Sequence, residues 1–149
     1  MVLSAHSGLF LALIIVLDFS LPGITYTDKV IDVKKELEQY YNAAGNYHYS
    51  YSVITSKHRF FVSEEFARIV QENQEIRYQV SFLFEEVNSY HLTTSSDKNI
   101  YSLRLLSGLV IPLIAIITSV LRYKYRNKVG ILVFVSQTLL IADLVFLII

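Results

Sequence analysis

Cysteine is absent from this sequence, and proline (2 residues) and glycine (5 residues) are scarce. Without thiols there is no disulfide framework, no thiol catalysis and no thiolate metal site, and the redox compartment stays open. The glycines stand isolated, so no glycine-rich loop cradles a phosphate, and no G-x-S-x-G seats a serine nucleophile. A charge imbalance is missing too: 13 Lys and Arg stand against 13 Asp and Glu. That removes the overall basic field that draws a protein to nucleic acid. The four histidines, His6, His48, His58 and His91, lack H-x-x-H or H-E-x-x-H spacing and read as scattered surface residues. Glu64-Glu65 and Glu85-Glu86 are adjacent, unlike the spaced carboxylates of acid–base catalysis. No catalytic residue, metal ligand or cofactor site is expected.

What the chain has in quantity is apolar surface. Hydrophobic residues make up 53% of its 149 positions and charged ones 17%. Mean hydropathy is +0.42, a membrane-type balance. The apolar residues concentrate in 8–25 and 101–149. Ser102–Leu121 and Gly130–Ile149 are 20 residues each and carry one charge apiece, Arg104 and Asp143. As helices each reaches about 30 Å, the thickness of a bilayer core. Between them "RYKYRNK" places four cations, Arg122, Lys124, Arg126 and Lys128, in a turn too short to cross anything. The pattern predicts a transmembrane helical hairpin, kinked at Pro112.

The run Gly8–Ile24 is shorter. No Lys or Arg precedes it and no A-x-A-like site follows, so it reads as a retained signal-anchor helix stopped by Pro22-Gly23 rather than a cleaved signal peptide. Tyr26, Tyr101, Tyr123 and Tyr125 mark the span boundaries, where amphipathic rings settle. Positive-inside bias on the basic turn puts the N-terminus in the cytoplasm and residues 26–100 and the C-terminus outside. Lys29, Lys34, Lys35 and Lys98 on the other side soften that asymmetry.

Residues 26–100 change character. "TDKVIDVKKELEQYYNAAG" has helical spacing at Val30, Val33, Leu37 and Ala44, and predicts a helix over 27–45. "NYHYSYSVIT" alternates with period two, "SKH" turns, and "RFFV" forms a second strand. Ser63 caps a helix whose first turn carries Glu64 and Glu65. "EIRYQVSFLFEEV" is the strongest strand signal, with "NSYHLTT" as its return partner. The Tyr and Phe stripes are expected to form the packed face.

The expected fold class is therefore an integral membrane α-helical protein with three transmembrane helices and a small extracytoplasmic α+β domain between helices 1 and 2. Its divisions are 1–25 (signal-anchor helix), 26–100 (the α+β domain) and 101–149 (the hairpin, with its basic cytoplasmic turn at 122–128). Ionisable residues within spans are costly and mark function by default. Counted at about 1.5 Å per residue from the inner boundary, Asp18 lies ~15 Å deep, Asp143 ~20 Å and Arg104 ~25 Å. That predicts an intramembrane ion pair between Arg104 and Asp143, with Asp18 an unpaired intramembrane acid. Ser107, Thr118, Ser119, Ser136, Gln137 and Thr138 are weaker members of the same polar set.

The function expected is a non-enzymatic accessory, assembly or scaffold component of a membrane complex, in a bacterial cell membrane. Its partners are the lipid bilayer and another membrane protein or a second copy, not nucleic acid. One alternative is a proton- or ion-transport component using Asp18 and Asp143. Another is a membrane-tethered sensor or ligand-binding domain.

Overall fold

The computed structural model describes residues 5–39, 47–95 and 97–148. It overturns the expected fold class. Among the described residues the chain is a mixed α and β fold with two three-stranded antiparallel sheets, and two helices, not three, are long and apolar enough to cross a membrane. The first helix, α1 (Ala5–Ser20), has 16 residues. At about 1.5 Å per residue it spans ~24 Å, short of the ~30 Å hydrocarbon core.

The chain divides into two compact units. One contains residues 24–80 and 87–102, the other residues 1–23, 81–86 and 103–149. The first is the β unit. Strand β1 (Ile24–Lys29) and strand β2 (Asp32–Gln39) occupy the stretch expected to be helical; positions 40–45 of that expectation lie outside the described residues. The reason is local and tertiary together. "ITYTDKVIDV" is rich in β-branched residues, and the helix-forming "KKELEQ" is overruled by full pairing, from Asp32↔Ile54 to Gln39↔Tyr47, with strand β3 (Tyr47–Ile54).

Two adjacent residues hand the chain from sheet to sheet. The Val30 amide donates to the Gln74 carbonyl, and the Ile31 amide to the Ile54 carbonyl. One sheet is therefore β2-β3-β4, with β4 at Arg59–Val62, and the other β1-β5-β6, with β5 at Glu75–Val80 and β6 at Val87–Leu92. The β3–β4 turn is held by Thr55, whose hydroxyl accepts from the Lys57 and His58 amides. Helix α2 (Glu64–Ile69) begins at Ser63, whose Oγ accepts from the Phe66 amide, with Glu64 and Glu65 in its first turn.

Buried side chains from both sheets and α2 share one core, centred on Val53, Phe60, Phe66, Ile76, Tyr78 and Tyr90. Both tyrosine hydroxyls find partners there. Tyr78 meets His58 Nδ1 at 2.9 Å and Thr55 Oγ1 at 3.2 Å. Tyr90 accepts from the Ser63 amide at 2.9 Å, so the core fixes the start of α2. The aromatic stripe of β3 is packed only at one end: Val53 is buried, Tyr51 half-buried and Tyr49 exposed. The strong strand also stops early, at Val80 rather than Val87. Its last expected residues, "SFLFEE", form a loop with Glu85 in the left-handed region at φ 55°.

The second unit is helical. The helix Ser102–Tyr125 comprises α3 (Ser102–Leu105), a widened π turn (Leu106–Val110) and α4 (Ile111–Tyr125). The Ile111 amide reaches back to the Leu106 carbonyl, five residues away. Pro112 explains the widening, because proline cannot donate to the Gly108 carbonyl and its ring crowds that position. A 3-10 turn, Arg126–Val129, leads into α5 (Gly130–Ile148). α1 packs against both, and Ala12, Ile15, Ala115, Leu140 and Leu147 form their shared apolar core.

Candidate polar site in the helical unit

Beside its apolar core the helical unit buries a set of polar residues, and its exterior is apolar. Ser107, Thr118, Ser119, Ser136 and Gln137 are buried, while Ile117, Val120, Phe134 and Phe146 are exposed and Ile131 is 83% exposed. Thr118 and Ser136 join α4 to α5 through a hydroxyl–hydroxyl hydrogen bond of 2.7 Å; one of the two donates in it, and the other is left to donate to the carbonyl of its own helix, Ala115 for Thr118 or Val133 for Ser136. Gln137 is 3% exposed, and among the described residues neither of its amide atoms has a hydrogen-bond partner; it lies against Gly8, where an added Cβ would sit 3.2 Å from Nε2. Thr138 is exposed and back-bonds to the Phe134 carbonyl.

The charged residues gather at one end. Asp18, in the last turn of α1, accepts from the Leu83 amide through Oδ1 at 2.8 Å. Its Oδ2 lies 3.7 Å from Arg104 Nη2, with both side chains buried. The Arg104 guanidinium also sits over the Phe19 ring, 5.4 Å from its centroid. Glu86 closes the loop from the other side. Burial pushes its carboxyl above the ordinary value, and the Arg104 charge pulls the other way. Asp143 on α5 is 5% exposed and lies in the field of Arg104, and among the described residues its Oδ2 has no hydrogen-bond partner.

The carboxylate found against Arg104 is thus that of Asp18, the acid expected to lack a partner. Counting residues along the spans placed Arg104 and Asp143 at one level but carried no information on how α1 packs. Gly108 decides that packing. A Cβ there would come within 2.4 Å of the Phe19 ring, so a side-chain-free position in the widened turn lets the end of α1 close on the start of the helix Ser102–Tyr125.

The remaining singled-out residues stay apart. Arg122 and Lys124 lie exposed in the last turn of α4, and Lys128 is exposed in the following turn; the side chains of Arg126, His6 and His48 lie outside the described residues. His58 belongs to the Thr55–Tyr78 turn, and its ring packs 4.8 Å from that of Tyr26. His91 pairs across from Arg77. Burial, then Arg77 and Lys98, hold its pKa below the usual imidazole range. Glu64 binds Arg68 at 2.6 Å on the exposed face of α2. Among the described residues no group of three or more His, Cys, Asp or Glu is placed to hold a metal ion.

Sequence reading missed Glu86, Phe19, Gly108 and the Leu83 amide. One signal was available: in "QVSFLFEE" the polar alternation fails at Leu83, where three apolar residues run together, against the period-two pattern of a strand.

Fold and site together define a mixed α and β chain with two helices of membrane-crossing length and a buried charge cluster beside them. Comparison with family models, curated proteins and solved structures finds no match, so the geometry alone carries the functional reading.

Proposed function

We infer that this is a membrane-anchored protein. The helices Ser102–Tyr125 and Gly130–Ile148 form a spanning hairpin, and the β unit works in the aqueous phase as a non-enzymatic accessory or assembly component of a membrane complex. The observation that carries the reading is the apolar exterior of the helical unit, with Ile131, Phe134, Ile117 and Phe146 outside while hydroxyls and an amide are buried beside its apolar core. In water such a surface drives association; in lipid it is the ordinary arrangement, with small and polar residues between helices. The accessory role draws support from Leu37 and Tyr49, register partners on β2 and β3 that are both exposed and, with Lys35 over the Tyr49 ring, offer a mixed apolar and cationic patch to another protein.

Two measurements test this. The chain should resist alkaline extraction from membranes; release into the supernatant overturns the anchor. Purified in mild detergent, it should run with a stoichiometric partner, or as more than one copy of its 17.1-kDa chain. A lone monomer overturns the assembly role.

A second reading, proton or cation handling at Asp18 and Asp143, draws support from the buried, incompletely bonded Asp143 carboxylate. Asp143→Asn should then abolish proton or cation flux in liposomes. Wild-type chain giving no flux, or D143N giving flux equal to wild type, overturns this reading.

A further inference from the structure

The loop between β5 and β6, residues 81–86, groups with the helices and not with the strands that it joins. Its side chains are sorted by polarity. Phe84 packs against the apolar core of the helical unit, and Ser81 is buried. Phe82 and Leu83 point away and are 65% and 61% exposed, adjacent large apolar residues at the loop tip.

The backbone beneath them is tied down. The Ser81 amide donates to the Glu86 carbonyl at 2.9 Å. The Glu86 amide donates to Ser81 Oγ at 3.2 Å. The Leu83 amide donates to Asp18 Oδ1 at 2.8 Å. Irregular backbone can enter an apolar medium only when its polar groups are satisfied inside the protein. A buried aspartate that accepts from the amide of an exposed leucine meets that requirement for the Leu83 amide at the tip.

Depth follows from the same contacts. Asp18 lies two residues from the end of α1, and Arg104 is the third residue of its helix. A loop held at this end of the unit lies within about 5 Å, at ~1.5 Å per residue, of where the apolar helix begins. Its tip is exposed and apolar, as are Leu103 and Leu106 in the first turns of that helix.

We propose that Phe82 and Leu83 form an interfacial wedge that inserts among lipid acyl chains just beneath the headgroups, with Asp18 as the internal cap that lets the loop backbone enter. The occupant is the bilayer, because the exposed apolar tip belongs to the helical unit and is held by Asp18 at the end where the lipid-facing helices begin. The proposal rests on the membrane reading above.

The chain contains no tryptophan, so single Trp variants report cleanly. F82W, L83W, I117W and I69W are each reconstituted in phosphatidylcholine vesicles and exposed to lipids brominated near the headgroup, to lipids brominated at mid-chain, and to aqueous iodide. F82W and L83W are at exposed positions, so the larger ring displaces no core. The expected result is that both lose most of their emission to headgroup-proximal bromine and little to iodide. I117W, on the outer face of α4, should lose emission to mid-chain bromine, and I69W, on α2, should respond to iodide. Iodide quenching of F82W and L83W with I117W still quenched by lipid overturns the wedge and leaves the membrane reading standing. Iodide quenching of I117W overturns both.

Discussion

Asp18 holds the Leu83 amide with one oxygen and faces the Arg104 guanidinium with the other. Its removal therefore leaves a buried cation without one of the acids around it and an amide without its acceptor. Breaking such a pair costs about 3–5 kcal/mol. Asp18→Ala should show a loss of that order in thermal or denaturant unfolding in detergent, whereas Asp18→Asn, which keeps an acceptor for Leu83, should lose less. Glu86 makes a different test. Burial raises its folded-state pKa above the unfolded value, so the folded chain binds the proton more tightly. Stability then falls as pH rises from the ordinary carboxylate value through the raised one. Asp28 acts with the opposite sign, since its hydrogen bond from Ser56 lowers its pKa and its contribution is lost as pH falls. The pH-dependent difference in stability between wild type and Glu86→Gln isolates the Glu86 effect. The variant should gain on the wild type as pH rises, and a constant offset would contradict the assignment.

At the scale of elements, two glycines make opposite predictions. Gly108→Ala drives a Cβ into Cδ2, Cγ and Cβ of Phe19, which have little room to swing aside. Overpacking of this kind costs about 1–3 kcal/mol, and Phe19→Ala in the same chain should recover part of the loss. Gly130 begins α5 with helical dihedrals and no atom within 4 Å of an added Cβ, so Gly130→Ala should be neutral or stabilising by up to about 1 kcal/mol. Unfolding midpoints of the three variants check both. The sequence shows why some elements were readable and others not. β5 alternates strictly and β3 over most of its length, β4 is marked by its short aromatic run, α2 carries its own cap, and the helices at 102–125 and 130–148 are long apolar runs; each pattern is local. β2 was not readable, because "KKELEQ" favours a helix and only β3 makes it a strand. The cluster around Arg104 was half readable. Its acids were visible as charges in apolar runs, but which acid meets the arginine depends on Gly108 and on a loop that looks like strand until the alternation breaks at Leu83.

For the whole molecule, the hairpin reading fixes a topology that the absence of native cysteine makes easy to test. One helix, Ser102–Tyr125, separates Lys57 in the β unit from Lys124, and both side chains are exposed. K57C and K124C should therefore react with a membrane-impermeant thiol reagent from opposite sides. The basic turn is expected inside, so intact cells should label K57C alone, with K124C labelling only after permeabilisation. Labelling of both from one side would contradict a spanning helix. The chain passes between its two units at four places, two of them flanking residues 81–86. The β5–β6 connection belongs to the helical unit, and Asp18→Ala should lower the amide protection of residues 81–86 together with that of the end of α1.

The handover at Val30 and Ile31 also orders the molecule in time. β2, β3 and β4 follow one another and pair as neighbours, while β1 must wait for β5, whose residues lie far down the chain. Closing the longer loop costs more entropy before any pairing is gained. As synthesis proceeds, the β2-β3-β4 meander is available first, and β1, fixed at one end by α1, stays an unpaired ribbon until Glu75–Val80 has emerged. Pulse-labelled amide exchange during refolding should find β3 and β4 protected before β1, and the reverse order would show that the second sheet nucleates the first.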